Sequence, residues 1–187
     1  ITSAITSTAG AYGLLKAGAG TLRLAGAVNL SNAVIVNQGV LEVGGTFTNN
    51  SSGTSVGSAT PGMLRLTSGA NYSTTTIALG NSANLTGSLV IRGGDMTLTT
   101  TSISSGVTLG KAGYGGLFLS SGSLSTRRVD SDDGTTASSV AILQVSGGTL
   151  NTANYIMFRN QRWEFTVTDG QVLRTGDYIS LAYRGSA

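Results

Sequence analysis

Residues 18–45 read GAGTLRLAGAVNLSNAVIVNQGVLEVGG, and this stretch decides the fold. Within it the phrase LRL at residues 22–24 returns as LEV at residues 41–43, and glycine follows each phrase within two residues. Apolar residues that alternate with period two predict a strand with one buried face. Glycine at the end of the strand allows a sharp corner of the backbone. A strand-and-corner unit cannot bury its apolar face alone, so the repetition predicts coils that stack on one another as a solenoid.

The same phrase recurs along the chain at intervals of 19 to 28 residues, about 24 on average. This irregular period predicts an all-β fold, a right-handed single-stranded parallel β-helix of about seven coils, with a main strand and two weaker strands in each coil. Residues 48–61 and 127–139 are predicted to be long loops because they are rich in turn-forming residues. The inward positions of the main strands form the predicted core ladder: Leu22, Leu24, Leu41, Val43, Leu64, Leu66, Leu89, Ile91, Leu117, Leu119, Leu143, Val145, Phe165 and Val167.

The composition supports an ordered chain of paired strands. Only 10% of the residues are charged and 40% are hydrophobic, which argues against disorder. The single proline fits a chain rich in paired strands, because proline cannot donate to a strand ladder. The net charge of +3 comes from scattered residues, so we expect no nucleic-acid partner. The apolar runs are short, so we expect no membrane span.

Two segments carry a resemblance to a known family. YGLLKAGAGTLRLAGA at residues 12–27 and VIVNQGVLEV at residues 34–43 resemble the autotransporter-associated β-strand repeat, although Leu15 stands where that pattern has threonine. QVSGGTLN at residues 144–151 resembles the looser repeats of very large secreted bacterial β-solenoid proteins. The resemblance implies export and an extracellular or bacterial cell-surface location. It implies no catalytic residue and no cofactor.

Three functions stay open. The favoured hypothesis is a non-enzymatic structural element, a stalk, fibre or matrix segment. The first alternative is an adhesin passenger that binds glycans or surfaces. The second is a polysaccharide-active enzyme, which would need two carboxylates facing each other about 5–10 Å apart. The eight carboxylates are spread over different coils, so the sequence favours a chain that is not an enzyme.

Asp130, Asp132 and Asp133 form the one acidic cluster. Their oxygens could bind Ca²⁺, although the spacing is not that of an EF-hand. The alternative is a solvated corner loop that Arg127 and Arg128 neutralise. Apart from this weak calcium candidate, the sequence predicts no metal site and no cofactor.

Aromatic residues gather near the only tryptophan, Trp163, with Tyr155 and Phe158 close in sequence. The group could stack on a sugar ring or could cover a local loop.

The chain is predicted to form a single solenoid domain over residues 1–187, with neither end resembling a polar cap. Either it is a segment of a longer solenoid, or subunits stack head-to-tail into a filament by a contact that does not close. The residues expected at such a contact are Ile1, Ile5, Tyr178, Ile179 and Leu181.

The coil alignment also makes a local prediction. Outward residues of successive main strands should form a column, in which Glu42 lies between Arg23 and Arg65. Exposed pairs of this kind contribute only about 0–1 kcal/mol.

Overall fold

The computed structural model describes residues 1–6, 12–131, 139–159, 162–176 and 178–181. These residues form strands and turns with no helix, and hence no helix that could cross a membrane. The strands are β1 (Ile5–Thr6), β2 (Leu14–Lys16), β3 (Thr21–Leu24), β4 (Val28–Asn29), β5 (Val34–Val36), β6 (Gly39–Val43), β7 (Thr46–Asn49), β8 (Thr54–Val56), β9 (Gly62–Thr67), β10 (Asn71–Thr74), β11 (Ile77–Leu79), β12 (Thr86–Leu98), β13 (Val107–Leu109), β14 (Tyr114–Thr126), β15 (Val129–Ser131), β16 (Val140–Val145), β17 (Thr149–Thr152), β18 (Ile156–Phe158), β19 (Arg162–Val167), β20 (Gln171–Arg174) and β21 (Ile179–Leu181).

The strands stack in three columns, and their pairings are parallel. The main column contains β3, β6, β9, the first half of β12, the first half of β14, β16 and β19. The second column contains β1, β4, β7, β10, the second halves of β12 and β14, β17 and β20. These two columns form one 13-stranded sheet, and the third column is a separate 8-stranded sheet of β2, β5, β8, β11, β13, β15, β18 and β21. The protein is therefore a parallel β-solenoid of about seven turns, about 24 residues apart, as the sequence predicted.

The predicted alignment of the main strands is confirmed residue by residue. Neighbouring strands place the first apolar positions of the phrase opposite one another: Leu22, Leu41, Leu64, Leu89, Leu117, Leu143 and Phe165. The variation in spacing is therefore absorbed between the main strands, and the pairing inside this column keeps one register.

The core ladder is buried over most of the rod and opens at its ends. The ladder positions from Leu24 to Val145 are at most 1% exposed. Leu22 and Phe165 are only partly buried, and Val167, predicted to be in the core, is 44% exposed. The prediction for Val167 is wrong because β19 pairs with β16 on one side and with no other described strand. No coil among the described residues therefore covers its inward side chain.

Both predicted long loops contain a strand of the third column. Residues 48–61 include β8, and residues 127–139 include β15. Both strands escaped prediction because they bury polar residues, such as Thr54 and Ser131, where the pattern requires apolar ones. The Thr54 hydroxyl finds hydrogen-bond partners in the next coil, since its Oγ1 lies 2.8 Å from the Tyr72 hydroxyl and 3.2 Å from Thr74 Oγ1.

Corners between the main and second columns need glycine at particular positions. Gly122 lies between the two halves of β14 with φ of 83°, in the left-handed region. A Cβ at this position would collide with the backbone carbonyl of Gly94 in the preceding coil. Glycine therefore permits both the corner conformation and the close approach of two coils.

We predict that Leu66→Asp destabilises the fold far more than Arg65→Ala, although the residues are adjacent. Leu66 is fully buried, so an aspartate there would place an unpaired carboxylate in the core and cost several kcal/mol. Arg65 points outward with its side chain 32% exposed, and its loss should cost under about 1 kcal/mol. Urea unfolding of both variants measures the difference, and equal losses would show that the assumed alternation is wrong.

Candidate functional site

The predicted charge column on the main sheet is confirmed. Glu42 is paired with Arg23 in one neighbouring strand and with Arg65 in the other. Its carboxylate lies 3.2 Å from Arg23 Nε and 3.3 Å from Arg65 Nη1. Because the arginine side chains are 67% and 32% exposed, these contacts favour the register more than they raise stability.

The second ion cluster lies on the third column. The stacking of coils brings Asp130 and Arg159 together, although they are 29 residues apart in sequence. Asp130, in the middle of β15, has a carboxylate only 2% exposed. Arg128 Nη1 lies 3.0 Å from it, and Arg159 donates through Nη2 at 2.6 Å and through Nε at 3.3 Å. A bidentate arginine–carboxylate contact of this kind fixes both the distance and the relative orientation of the two side chains.

The calcium candidate predicted from sequence consists of Asp130, Asp132 and Asp133, and the structure describes only the first of them. The solvated-loop interpretation is wrong for Asp130, because the residue is buried in a strand. The neutralisation by Arg128 that was expected with it is confirmed, and Arg159 contributes a second ion pair. Asp132 and Asp133 lie outside the described residues. Among the residues that are described, no group of three or more histidine, cysteine or acidic side chains is placed to hold a metal ion. Calcium binding stays a prediction.

Aromatic contacts extend this cluster toward the last coil. Arg128 Nη1 donates to the Tyr155 hydroxyl at 2.6 Å, and its guanidinium carbon lies 5.7 Å from the centre of the Tyr155 ring. Tyr155 stacks on Tyr178 with ring centres 5.5 Å apart. The arginine is therefore held between a carboxylate and an aromatic face.

Trp163 does not form an outward sugar platform. It is opposite Ala141, a fully buried residue, and therefore occupies an inward register position. Its ring stacks on the buried Phe158 with centres 5.7 Å apart. The tryptophan is part of the end of the core and is partly exposed because it lies in the last main strand.

Five carboxylates lie in the described residues: Glu164 and Asp169 belong to the last coil, and the other three lie in three different columns. Glu42 is in the main column, Asp95 in the second and Asp130 in the third. Asp95 accepts a hydrogen bond of 2.6 Å from the Ser123 hydroxyl in the next coil. These three acids therefore bind their neighbours on separate faces and do not face one another across one sheet.

The residues expected at an end-to-end contact lie in the outermost coils of the described chain. Ile1 and Tyr178 are exposed, and Ile5 is partly buried. Ile179 and Leu181 lie opposite the buried Ile156 and Phe158, so they occupy inward positions, yet they are 46% and 49% exposed. The end of the core is therefore open to solvent at β21.

A groove follows the outer face of the third column, and we call it the third-column groove. Its floor consists of outward positions that lie opposite one another in successive strands, among them Ile35, Ser55, Ala78 and Thr108. Three neighbouring cavities of about 270, 450 and 330 Å³ divide its length. Adjacent cavities share lining residues, so the concavity continues across these coils.

Two buried polar residues were not predicted from the sequence. Lys16 takes an inward position at the end of β2, and its Nζ donates to the carbonyl oxygens of Ala17, Gly18 and Gln38 at 2.8, 2.5 and 2.9 Å. Tyr72 stacks on Phe47 with ring centres 4.6 Å apart. The period-two alternation places both residues at inward positions, and this pattern was the sequence signal that could have indicated their burial.

These features define a class of protein, a parallel β-solenoid with polar residues built into its interior and ion clusters on its outer faces. No family model, no curated protein and no solved structure matches the chain.

We predict that Tyr72 makes the fold sensitive to alkaline pH. Burial raises the pKa of the Tyr72 hydroxyl well above its ordinary value, and the hydrogen bond to Thr54 opposes this only in part. Above about pH 10 the unfolded chain loses this proton while the folded chain keeps it, so stability falls as pH rises. Urea unfolding at pH 8 and pH 10.5 should show a smaller alkaline loss for Tyr72→Phe than for the unchanged protein.

Tyr114→Phe is the matched control, because Tyr114 is 41% exposed. It should keep the alkaline loss of the unchanged protein. An identical pH dependence in all three proteins would contradict the assignment.

We predict that Asp130→Asn costs about 2 kcal/mol in the free energy of unfolding. The substitution leaves two arginines without their shared carboxylate, and these side chains are partly exposed, which keeps the loss below that of a fully buried pair. Glu42→Gln is the control, since Glu42 also lies between two arginines but on a more exposed surface, and it should cost under about 1 kcal/mol. Thermal or urea unfolding compares the two, and a larger loss for Glu42→Gln would contradict the ranking.

Proposed function

We propose that this chain is a non-enzymatic structural β-solenoid, a stalk, fibre or matrix element located outside the cell or at a cell surface. The observation that carries the proposal is the open core at the last described coil. Val167, Ile179 and Leu181 occupy inward positions and are each more than two-fifths exposed. A further coil placed on this surface would bury them.

The construction of the rod supports a structural role. Each inner coil pairs with the coil before it and the coil after it, at a spacing of about 4.8 Å, so seven coils extend roughly 35 Å. Hydrogen bonds between coils run along the rod axis, the direction in which a stalk or fibre transmits force. A uniform stack of this kind can be lengthened by further coils without changing the cross-section.

The positions of the carboxylates favour a structural role over the polysaccharide-active enzyme. Such an enzyme needs a facing pair about 5–10 Å apart. Glu42 and Asp130 are each bound between two arginines, and Asp95 accepts a serine hydroxyl on another face. Each of these acids thus has a structural partner.

The open coil is the proposed site of end-to-end continuation. Within the described chain, β19, β20 and β21 each pair with one strand only, so they present free edges along three sides of the coil. Free edges pair readily with further strands. The next coil comes either from a longer chain or from the first coil of a second copy, and the second arrangement generates a filament because the contact does not close.

The test is sedimentation and electron microscopy of the 187-residue chain at rising concentration. We expect fibres that shorten or disappear in the double variant Ile179→Lys, Leu181→Lys, because two charges would then lie on the open core. Leu173→Lys is the matched control, since Leu173 is also 49% exposed but lies opposite Asn151 at an outward position. It should assemble as the unchanged protein does.

A strictly monomeric chain at all concentrations would contradict the filament arrangement. Antibody labelling of intact cells of the source organism tests the proposed location. Labelling only after the cells are broken would contradict it.

A further inference from the structure

The third-column groove has a floor of small side chains. Ser55, Ala78 and Thr108 lie opposite one another in β8, β11 and β13, so no large side chain stands on the floor in the middle of the groove. The outward positions from Leu15 through Ile35 to Asp130 span five coil steps, or roughly 24 Å at about 4.8 Å each. This length suits an extended polymer that lies along the rod better than it suits a compact ligand.

Positive charge is concentrated at one end of the groove. Lys111 lines the two largest cavities, and Arg128 and Arg159 line the end cavity together with Asp130. Among the described lining residues, three cations and one carboxylate leave an excess of positive charge. Lys111 is exposed and forms no ion pair with another described residue.

The remaining lining is rich in hydroxyl groups. Thr76 and Ser105 line the end cavity, and Ser52 and Ser58 line the central one. The Ser55 hydroxyl, on the floor of the central cavity, is buried and has no hydrogen-bond partner among the described residues. Hydroxyl groups, the exposed Lys111 and the partly exposed Arg159 together match a ligand that carries both hydroxyls and negative charges.

Other polymers fit the groove less well. The three cavities contain no aromatic residue in their linings, and single-stranded nucleic acids are bound largely by stacking on aromatic side chains. The groove lies on the face of a sheet whose inner strands are paired on both sides, so an extended peptide finds no free edge there.

We propose that the third-column groove binds an acidic, carboxylate-bearing polysaccharide, with the uronate carboxylates near Lys111 and Arg159 and the sugar hydroxyls along Ser55, Ala78 and Thr108. This inference goes beyond a purely structural role. It holds whether or not the rods stack, because the groove lies on the side of the rod and not at its end.

Isothermal titration calorimetry of the complete 187-residue chain with a mannuronate hexasaccharide tests the proposal. Lys111→Ala should weaken binding about fivefold at low salt, as expected for the loss of one exposed charge contact. Arg92→Ala is the matched control, because Arg92 is exposed, lies in β12 outside the groove and removes the same charge. It should bind as the unchanged protein does.

A second pair of variants tests whether the ligand lies in the groove, because one of them fills the groove with a large side chain. Ala78→Phe should abolish measurable binding because the ring would fill the floor, whereas Thr97→Phe adds the same ring to an exposed position in the second column and should change nothing. Circular dichroism melting of each variant checks that the fold is kept. If Ala78→Phe does not fold, the binding affinity of Lys111→Ala still tests the proposal.

Four outcomes would overturn the proposal. They are no binding at millimolar sugar, equal binding of neutral cellohexaose, tighter binding of a single-stranded oligonucleotide, and binding that neither Lys111→Ala nor Ala78→Phe affects.

Discussion

The structure depends on one constraint: each coil must pair in register with the coils directly before and after it. Side chains alternate inward and outward along a strand, so a shift of one residue would exchange the buried and exposed sets of a whole coil. Leu41, for example, lies between Leu22 and Leu64, and Glu42 beside it lies between Arg23 and Arg65. The same pairing thus forms the apolar core on one side of the strand and an ion column on the other.

This constraint also explains where polar residues are tolerated inside. A buried polar group is costly unless it is hydrogen-bonded. Lys16 meets this requirement through three backbone carbonyl oxygens, and Tyr72 meets it through Thr54 in the neighbouring coil. Asp130, on the outer side, is buried instead under Arg128 and Arg159. Stacking supplies some of these partners from another coil, such as Gln38 for Lys16, Thr54 for Tyr72 and Arg159 for Asp130, and neighbours along the chain supply the others.

The main column could be predicted from sequence because its apolar alternation is strong in every coil. Val167 was predicted wrongly because alternation reports the direction of a side chain and not whether a further coil covers it. The strands β8 and β15 were missed because Thr54 and Ser131 are polar at inward positions. Arg159 could not be assigned to Asp130, and the third-column groove could not be foreseen, because both depend on how corner segments of different length bring distant residues together. The exact pairing at such corners is a property of the stacked coils.

Parallel stacking of the coils in one register can be tested with engineered cysteines, since the chain has none of its own. Ser73, Thr97 and Ser125 follow one another on the outer face of the second column, one coil apart. Cysteines in adjacent coils should lie within disulfide range, whereas cysteines two coils apart, at roughly 9.6 Å, should not. Stacking in this register predicts rapid intramolecular oxidation of the pairs Ser73→Cys with Thr97→Cys and Thr97→Cys with Ser125→Cys, and none for Ser73→Cys with Ser125→Cys. Oxidation of the last pair, or failure of both adjacent pairs, would contradict the stacking described.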